Sequence, residues 1–201
     1  MTTQQELTNE GNVLFPVFFK LHTLHTLIVG GGNVGLEKLE AIMRNSPTAT
    51  VTLVADTIKN EIYDLQKAHP TINIEKRQFS YMDLEGKDLV ILATDNKDLH
   101  RCIKAATTRL HLMTNVADTP ELCDFYLSSI VKKGDLKIAI STNGKSPTIA
   151  KRLREYLEEA LPDNVQTLLD RMTQIRASLK GDFAYKVQKL NEVTTQWLKD
   201  K

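Results

Sequence analysis

The sequence predicts an α/β fold built on a doubly wound parallel sheet. Three observations predict it. Apolar, β-branched runs alternate with amphipathic stretches of helical length. Runs such as Asp88-Leu89-Val90-Ile91-Leu92-Ala93 are apolar almost throughout, as strands buried on both faces are. The first run empties into a glycine turn that opens a helix at once.

That turn is Thr26-Leu27-Ile28-Val29-Gly30-Gly31-Gly32-Asn33-Val34-Gly35. A strand over 24–30 leads to a helix over 33–45, whose apolar stripe is Val34, Leu39, Ile42 and Met43. Gly30 permits the tight turn, Gly32 lets backbone approach a ligand, and Gly35 lets helix and strand pack closely. In this context the spacing is that of a Rossmann-type site, in which amide groups and a helix N-terminus receive a pyrophosphate. Gly30, Gly31, Gly32, Asn33, Val34 and Gly35 are therefore candidate cofactor-binding residues. The alternative is a strand–helix turn without a ligand.

The remaining elements follow in order. Ser46-Pro47 ends the first helix, and Thr50-Val51-Thr52-Leu53-Val54-Ala55 reads as a buried strand. A helix over 57–68 ends near His69-Pro70, and Ile72-Asn73-Ile74 begins a third strand. The strand over 88–93 precedes a helix over 96–109, and residues 110–116 form a fifth strand. The rhythm then changes. Residues 125–131 and 136–141 read as two strands joined by Lys132-Lys133-Gly134-Asp135. Ser146-Pro147 opens a helix with Ser as N-cap and Pro in the first turn. Ile149, Leu153, Tyr156, Leu157 and Ala160 form its apolar stripe. A second helix carries Val165, Leu168, Leu169, Met172, Ile175 and Leu179. A last one, after Gly181-Asp182, carries Phe183, Val187, Leu190 and Trp197. The expected organisation is a nucleotide-binding domain at 1–116, a small α+β dimerisation and substrate segment at 117–146, and a helical C-terminal domain at 147–201. A hairpin this short is marginal alone, which favours a homodimer that shares it.

Ligands of such sheets lie beyond the carboxyl ends of the strands. Asp56 is placed to bind the adenosine ribose hydroxyls or to cap the next helix; it follows the glycine turn somewhat later than the usual ~20 residues. Thr94 and Asp95 end the fourth strand, either against the cofactor or at a helix cap. Asn115-Val116-Ala117-Asp118 ends the fifth strand. Asp118 is the candidate catalytic acid or base, with an ordinary turn residue as the alternative. Ser141-Thr142-Asn143-Gly144-Lys145-Ser146-Pro147 precedes a helix N-terminus, and Lys151, Arg152 and Arg154 follow. This cluster suits an anionic ligand; a solvated, ordinarily capped helix face is the alternative.

Composition bounds the rest. The chain has 201 residues, 41% of them hydrophobic, and a formal charge of +1, so no global field draws it to nucleic acid or membrane. Cys102 and Cys123 form no CxxC and fit a reducing cytoplasm. The polar start lacks the basic region of an export signal. Residues 13–19 are apolar but far shorter than the ~20 residues of a membrane span. With Pro16 among them, they read as an extended segment covering a sheet edge or end. The scattered histidines form no metal cage; His22 and His25 are poorly spaced for one.

Leu14-Phe15-Pro16-Val17-Phe18, the Val29–Val34 glycine turn, Asn115-Val116-Ala117-Asp118, Cys123-Asp124-Phe125 and Ala139-Ile140-Ser141-Thr142-Asn143-Gly144-Lys145-Ser146-Pro147 together resemble precorrin-2 dehydrogenases. These are standalone enzymes of sirohaem synthesis and the matching half of multifunctional sirohaem synthases. The resemblance spans about residues 12–162. It implies NAD as cofactor, a tetrapyrrole substrate, oxidation of precorrin-2 to sirohydrochlorin and a homodimer. Some members also insert ferrous iron. It implies an essential role for Asp118 and substrate handling by Thr142; Asn115, Asn143 and Lys145 are the further candidate substrate-binding residues. Two departures stand out: Gly35 replaces a common alanine, and Asp56 stands where relatives often have proline. The competing function is an NAD-sensing regulatory module with helices 147–200 as a partner- or DNA-binding arm, the near-neutral charge counting against DNA. In that reading the Asp118 and Thr142 motifs have no task.

Overall fold

The computed structural model describes residues 11–199, leaving aside the side chains of residues 193 and 196–199. The polar residues 1–10, which enter the export reading, and the Trp197 side chain lie outside the described residues. Two compact units form, each described by itself. One holds Phe15–Leu127; the other holds the described residues before Phe15 and those from Ser128 onward. The expected central segment and helical tail thus fall largely into one unit, and the division comes later than residue 116.

The first unit is a five-stranded parallel sheet in the order β3-β2-β1-β4-β5. Its strands are β1 (His25–Gly31), β2 (Thr50–Ile58), β3 (Ile72–Lys76), β4 (Leu89–Leu92) and β5 (Met113–Val116). Its helices are α1 (Asn33–Asn45), α2 (Asn60–Ala68) and α3 (Lys97–Arg109). The doubly wound parallel sheet expected from the alternating runs is present. Strand side chains alternate between the two faces. Ile28, Leu53 and Ile91 pack with Leu39, Ile42 and Met43 of α1 and Ile62 of α2. Leu27, Val29, Val54, Val90 and Leu92 pack with Ile103 of α3 and Val116. Chain order reverses direction between β1 and β4, which creates the crevice where such sheets hold ligands.

The second unit pairs β6 (Ser129–Lys133) with β7 (Leu136–Ile140) in an antiparallel hairpin turned at Gly134 and Asp135. The helices α4 (Pro147–Ala160), α5 (Val165–Ser178) and α6 (Phe183–Lys199) follow. Ser146 caps α4 by accepting from the Ile149 N–H at 3.2 Å. Lys133 Nζ donates to the Leu161 carbonyl at 2.5 Å and pairs with Asp163 at 2.8 Å, tying the hairpin to the α4–α5 connection.

The apolar stripe expected on α4 is present and open to solvent: Ile149, Leu153 and Tyr156 are 55%, 45% and 67% exposed, while Ala150 is buried. Helical periodicity identifies an apolar face but not what covers it. Residues 13–19 form no regular structure and are exposed, Phe15 to 87%, rather than covering a sheet edge. Phe19 makes a ring contact there, edge-on to Phe125 at 6.3 Å. No helix among the described residues is long and apolar enough to cross a membrane.

A Cβ at Gly35 would run into the Gly30 carbonyl oxygen. Gly35→Ala must therefore push α1 off β1, with an expected loss of about 1–3 kcal/mol. Urea denaturation of the two proteins measures it.

Candidate functional site

The glycine turn lies at the switch point, and its glycines do different things. Gly30 has φ 124°, and a Cβ there would strike the Ala93 carbonyl at the end of β4. Gly31 faces β2, where a Cβ would press on the Thr57 carbonyl and on Ala55. Those two and Gly35 are demanded by the protein's own packing. Gly32 is not: among the described residues, a Cβ there would meet no atom within 4 Å beyond its own chain neighbours. Gly32 is the N-cap of α1, makes no side-chain cap, and is followed by a first turn without an acidic residue. The first amide groups of a helix lack partners within it, and that end carries partial positive charge. The space at Gly32 therefore fits the diphosphate of a dinucleotide, with Asn33 and Val34 supplying the first helical amides.

Beside this cradle, the register of β1 with β2 shifts between Val29↔Val54 and Gly31↔Ile58. The additional residues form a bulge that exposes Asp56 and Thr57. Asp56 thus lies inside β2 and does not cap α2; Lys59 stands at that N-cap. Short-range signals placed the helix start too early, because polar Asp56-Thr57 looks like a strand end. Lys59, which the sequence reading did not single out, donates its N–H to the Gly31 carbonyl at 3.0 Å and its Nζ to Asn33 Oδ1 at 2.8 Å. No motif marks it; the bulge brings it there.

At the end of β4, Thr94 Oγ1 lies 2.8 Å from His100 Nε2 and accepts from the Asn96 N–H at 3.3 Å. Asn96, not Asp95, caps α3, with its Oδ1 accepting from Leu99 at 3.0 Å; Asp95 is exposed. Burial pushes the His100 imidazole below its ordinary value, against the opposing pull of Asp95. A neutral ring thereby holds the Thr94 hydroxyl just past Ala93, the residue in contact with Gly30.

At the end of β5, Asp118 is exposed and has φ 55°, a left-handed conformation that few side chains adopt. A latch surrounds it. Cys123 Sγ receives the Val116 N–H and donates to the Val116 carbonyl, both at 3.2 Å. Asn115 is buried, and its Nδ2 donates to the Phe125 carbonyl at 2.8 Å. Asp124 Oδ2 accepts from the Thr114 N–H at 2.8 Å and pairs with Lys104 at 2.5 Å. Burial raises the Cys123 thiol above its usual range, which keeps it a protonated donor. Asn115 was expected at the substrate; its amide is engaged inward and instead shapes the turn that carries Asp118.

The remaining candidates lie in the second unit. Thr142 Oγ1 accepts from the Ser146 N–H and donates to its carbonyl, both at 3.2 Å. Asn143 has φ 54°, and the Lys145 N–H closes the turn on the Thr142 carbonyl at 3.0 Å. Asn143 is half-buried and Lys145 exposed, just before the N-terminus of α4.

A doubly wound parallel sheet with a bare glycine cradle at its switch point defines a dinucleotide-binding protein. Residues 17–129 match the family described as putative NAD(P)-binding, and the chain belongs to that family. Residues 133–160 match a second model, described as sirohaem biosynthesis protein central. A siroheme synthase of Psychrobacter arcticus is 36% identical over 185 residues, covering 91% of this chain and 32% of that protein. One from Thioalkalivibrio sulfidiphilus is 37% identical over 148 residues, 74% of this chain and 30% of that protein. The chain spans about a third of the length of these curated relatives. A solved structure titled SirC, precorrin-2 dehydrogenase, has the same fold, with TM-score 0.72, 21% identity, and coverage of 90% of this chain and 89% of that one.

The latch around Asp118 is open to test. Cys123→Ala removes both sulfur contacts to Val116, so the expected loss of stability is about 1–3 kcal/mol. Cys123→Ser, which keeps a donor and an acceptor, should recover part of it in the same thermal melts.

Proposed function

We propose that the chain catalyses NAD-dependent dehydrogenation of precorrin-2 to sirohydrochlorin. The observation that carries this reading is Asp118, an exposed carboxylate fixed in left-handed backbone at the carboxyl end of β5. Strained polar residues of this kind are typical of functional sites. Its strand neighbours β4, whose end touches the glycine cradle. The matches to siroheme synthases and to the sirohaem biosynthesis model support the substrate class.

When bound, NAD supplies the acceptor for the hydride. The chain's part is to hold and to orient. Gly32, Asn33 and Val34 present amides to the diphosphate, with Gly30, Gly31 and Gly35 shaping the turn. Thr94, steadied by His100, faces the cofactor, and Asp95 lies beside it. Asp56, on its bulge, is assigned to the adenosine ribose hydroxyls. Asp118 takes the proton released as the macrocycle is oxidised, or polarises the carbon that loses it. Holding that carbon against the nicotinamide supplies a further, entropic part of the rate. Asn143 and Lys145 are assigned to the carboxylate-rich substrate through amide and ammonium groups, with Thr142 acting through the turn it closes on Ser146 and Asn115 through the Asp118 turn. Ferrous iron insertion is a second activity under this reading, with iron as substrate; an assay with sirohydrochlorin and iron but no dinucleotide reads it separately. The protein acts as a cytoplasmic homodimer.

Asp118→Asn should lower kcat/KM for precorrin-2 by roughly 100- to 10,000-fold while leaving NAD affinity intact. Sirohydrochlorin absorbance and calorimetry measure the two quantities, and a fully active variant would overturn the assignment. The exposed stripe Ile149, Leu153 and Tyr156 supports the dimer. Leu153→Glu should shift sedimentation velocity toward the monomer.

A further inference from the structure

We propose that Lys59 is a phosphate ligand of the dinucleotide cradle. The inference rests on the reading that the glycine turn binds a dinucleotide, and adds a residue that no motif marks.

The main chain fixes the residue first. Its N–H bonds to the Gly31 carbonyl at 3.0 Å, so Lys59 is tied to the turn itself. The side chain then reaches Asn33, the first residue of α1, where Nζ lies 2.8 Å from Oδ1. This brings an ammonium group to the bare end of the helix, next to Gly32 and its open space.

Electrostatics make the placement informative. The N-terminus of a helix is its positive end, and a cation held there is disfavoured by about as much as an anion is favoured. Glu61, at 3.2 Å, offsets this in part, but it is the more exposed partner, at 56% against 36%. Surface pairs of this kind contribute little. The first turn of α1 offers no acidic side chain of its own. Two positive groups, the helix end and Lys59, thus converge on one opening, and a phosphate between them relieves both. Asn33 aims the ammonium; a lysine carries three donors, so one remains for the ligand beside those engaged by Asn33 and Glu61.

Two phosphates meet this description. The diphosphate rests on the helix end in every dinucleotide. A 2′-phosphate on the adenosine ribose lies near the carboxyl end of the second strand, where a cation accommodates it. Asp56, exposed on the adjoining bulge, acts against the latter.

The test is calorimetric titration of wild type, Lys59→Gln, Lys59→Arg and Gly32→Asp with NAD and with NADP. Lys59→Gln is expected to bind on the order of tenfold more weakly, with a shallower salt dependence. Lys59→Arg should restore most of the affinity. Equal losses for both ligands identify the diphosphate as the partner, and a loss confined to NADP identifies the 2′-phosphate. Unchanged affinity for both ligands in Lys59→Gln, with Gly32→Asp unable to bind, overturns the proposal and leaves the cradle standing. Failure of wild type to bind either ligand, or undiminished binding by Gly32→Asp, overturns the cradle reading and this inference with it. Melting temperatures of the variants separate a lost ligand contact from a damaged fold.

Discussion

The close approach of three backbones at Gly30 governs the first unit. There β1 turns, the Ala93 end of β4 presses from one side, and α1 lies against the turn through Gly35. No side chain fits at either glycine. Because α1 comes this near, its first amides open at the sheet's switch point instead of above it. The same contact sets the height of the β4 end, and with it Thr94. The bulge in β2 is the counterpart on the other side, packed against Gly31 and carrying Lys59 to the turn.

The β5 end depends on a different device. Left-handed backbone at Asp118 is tolerable for an aspartate but not favoured, and surrounding bonds must hold it. Val116, Cys123, Asn115 and Asp124 make those bonds from both sides of the turn. They leave the Asp118 carboxylate exposed while its backbone is fixed, so position is supplied by the fold before any substrate arrives. The mechanism proposed above uses that fixity.

Local chemistry made much of this legible. The glycine spacing located β1 and α1, and the bounds of α1 agree with 33–45 because Gly32 and Ser46 flank it with residues that start and stop helices. Ser146-Pro147 marked the start of α4 for the same reason. What escaped the sequence was non-local. The extension of β2 to Ile58 is set by pairing with Gly31, so Asp56 and Lys59 took on different places from those that propensity suggests. Asn96 outcompeted Asp95 as a cap by one residue, a choice decided by side-chain reach. Cys123 is a lone thiol in the sequence and acquires its task only when the chain folds back on Val116. The stripe on α4 was read correctly as apolar, but burial depends on what lies opposite, which no periodicity reports.

The two thiols of the chain have been given opposite chemical characters. Cys102 stands exposed on α3, whereas Cys123 is half-buried, bonded at both the N–H and the carbonyl of Val116, and held protonated. Electrophiles attack the thiolate, so a maleimide dye discriminates between them without any engineered cysteine. The native chain therefore carries one addressable handle on a helix that packs against the sheet, and its emission becomes a reporter of events at the β4 and β5 ends.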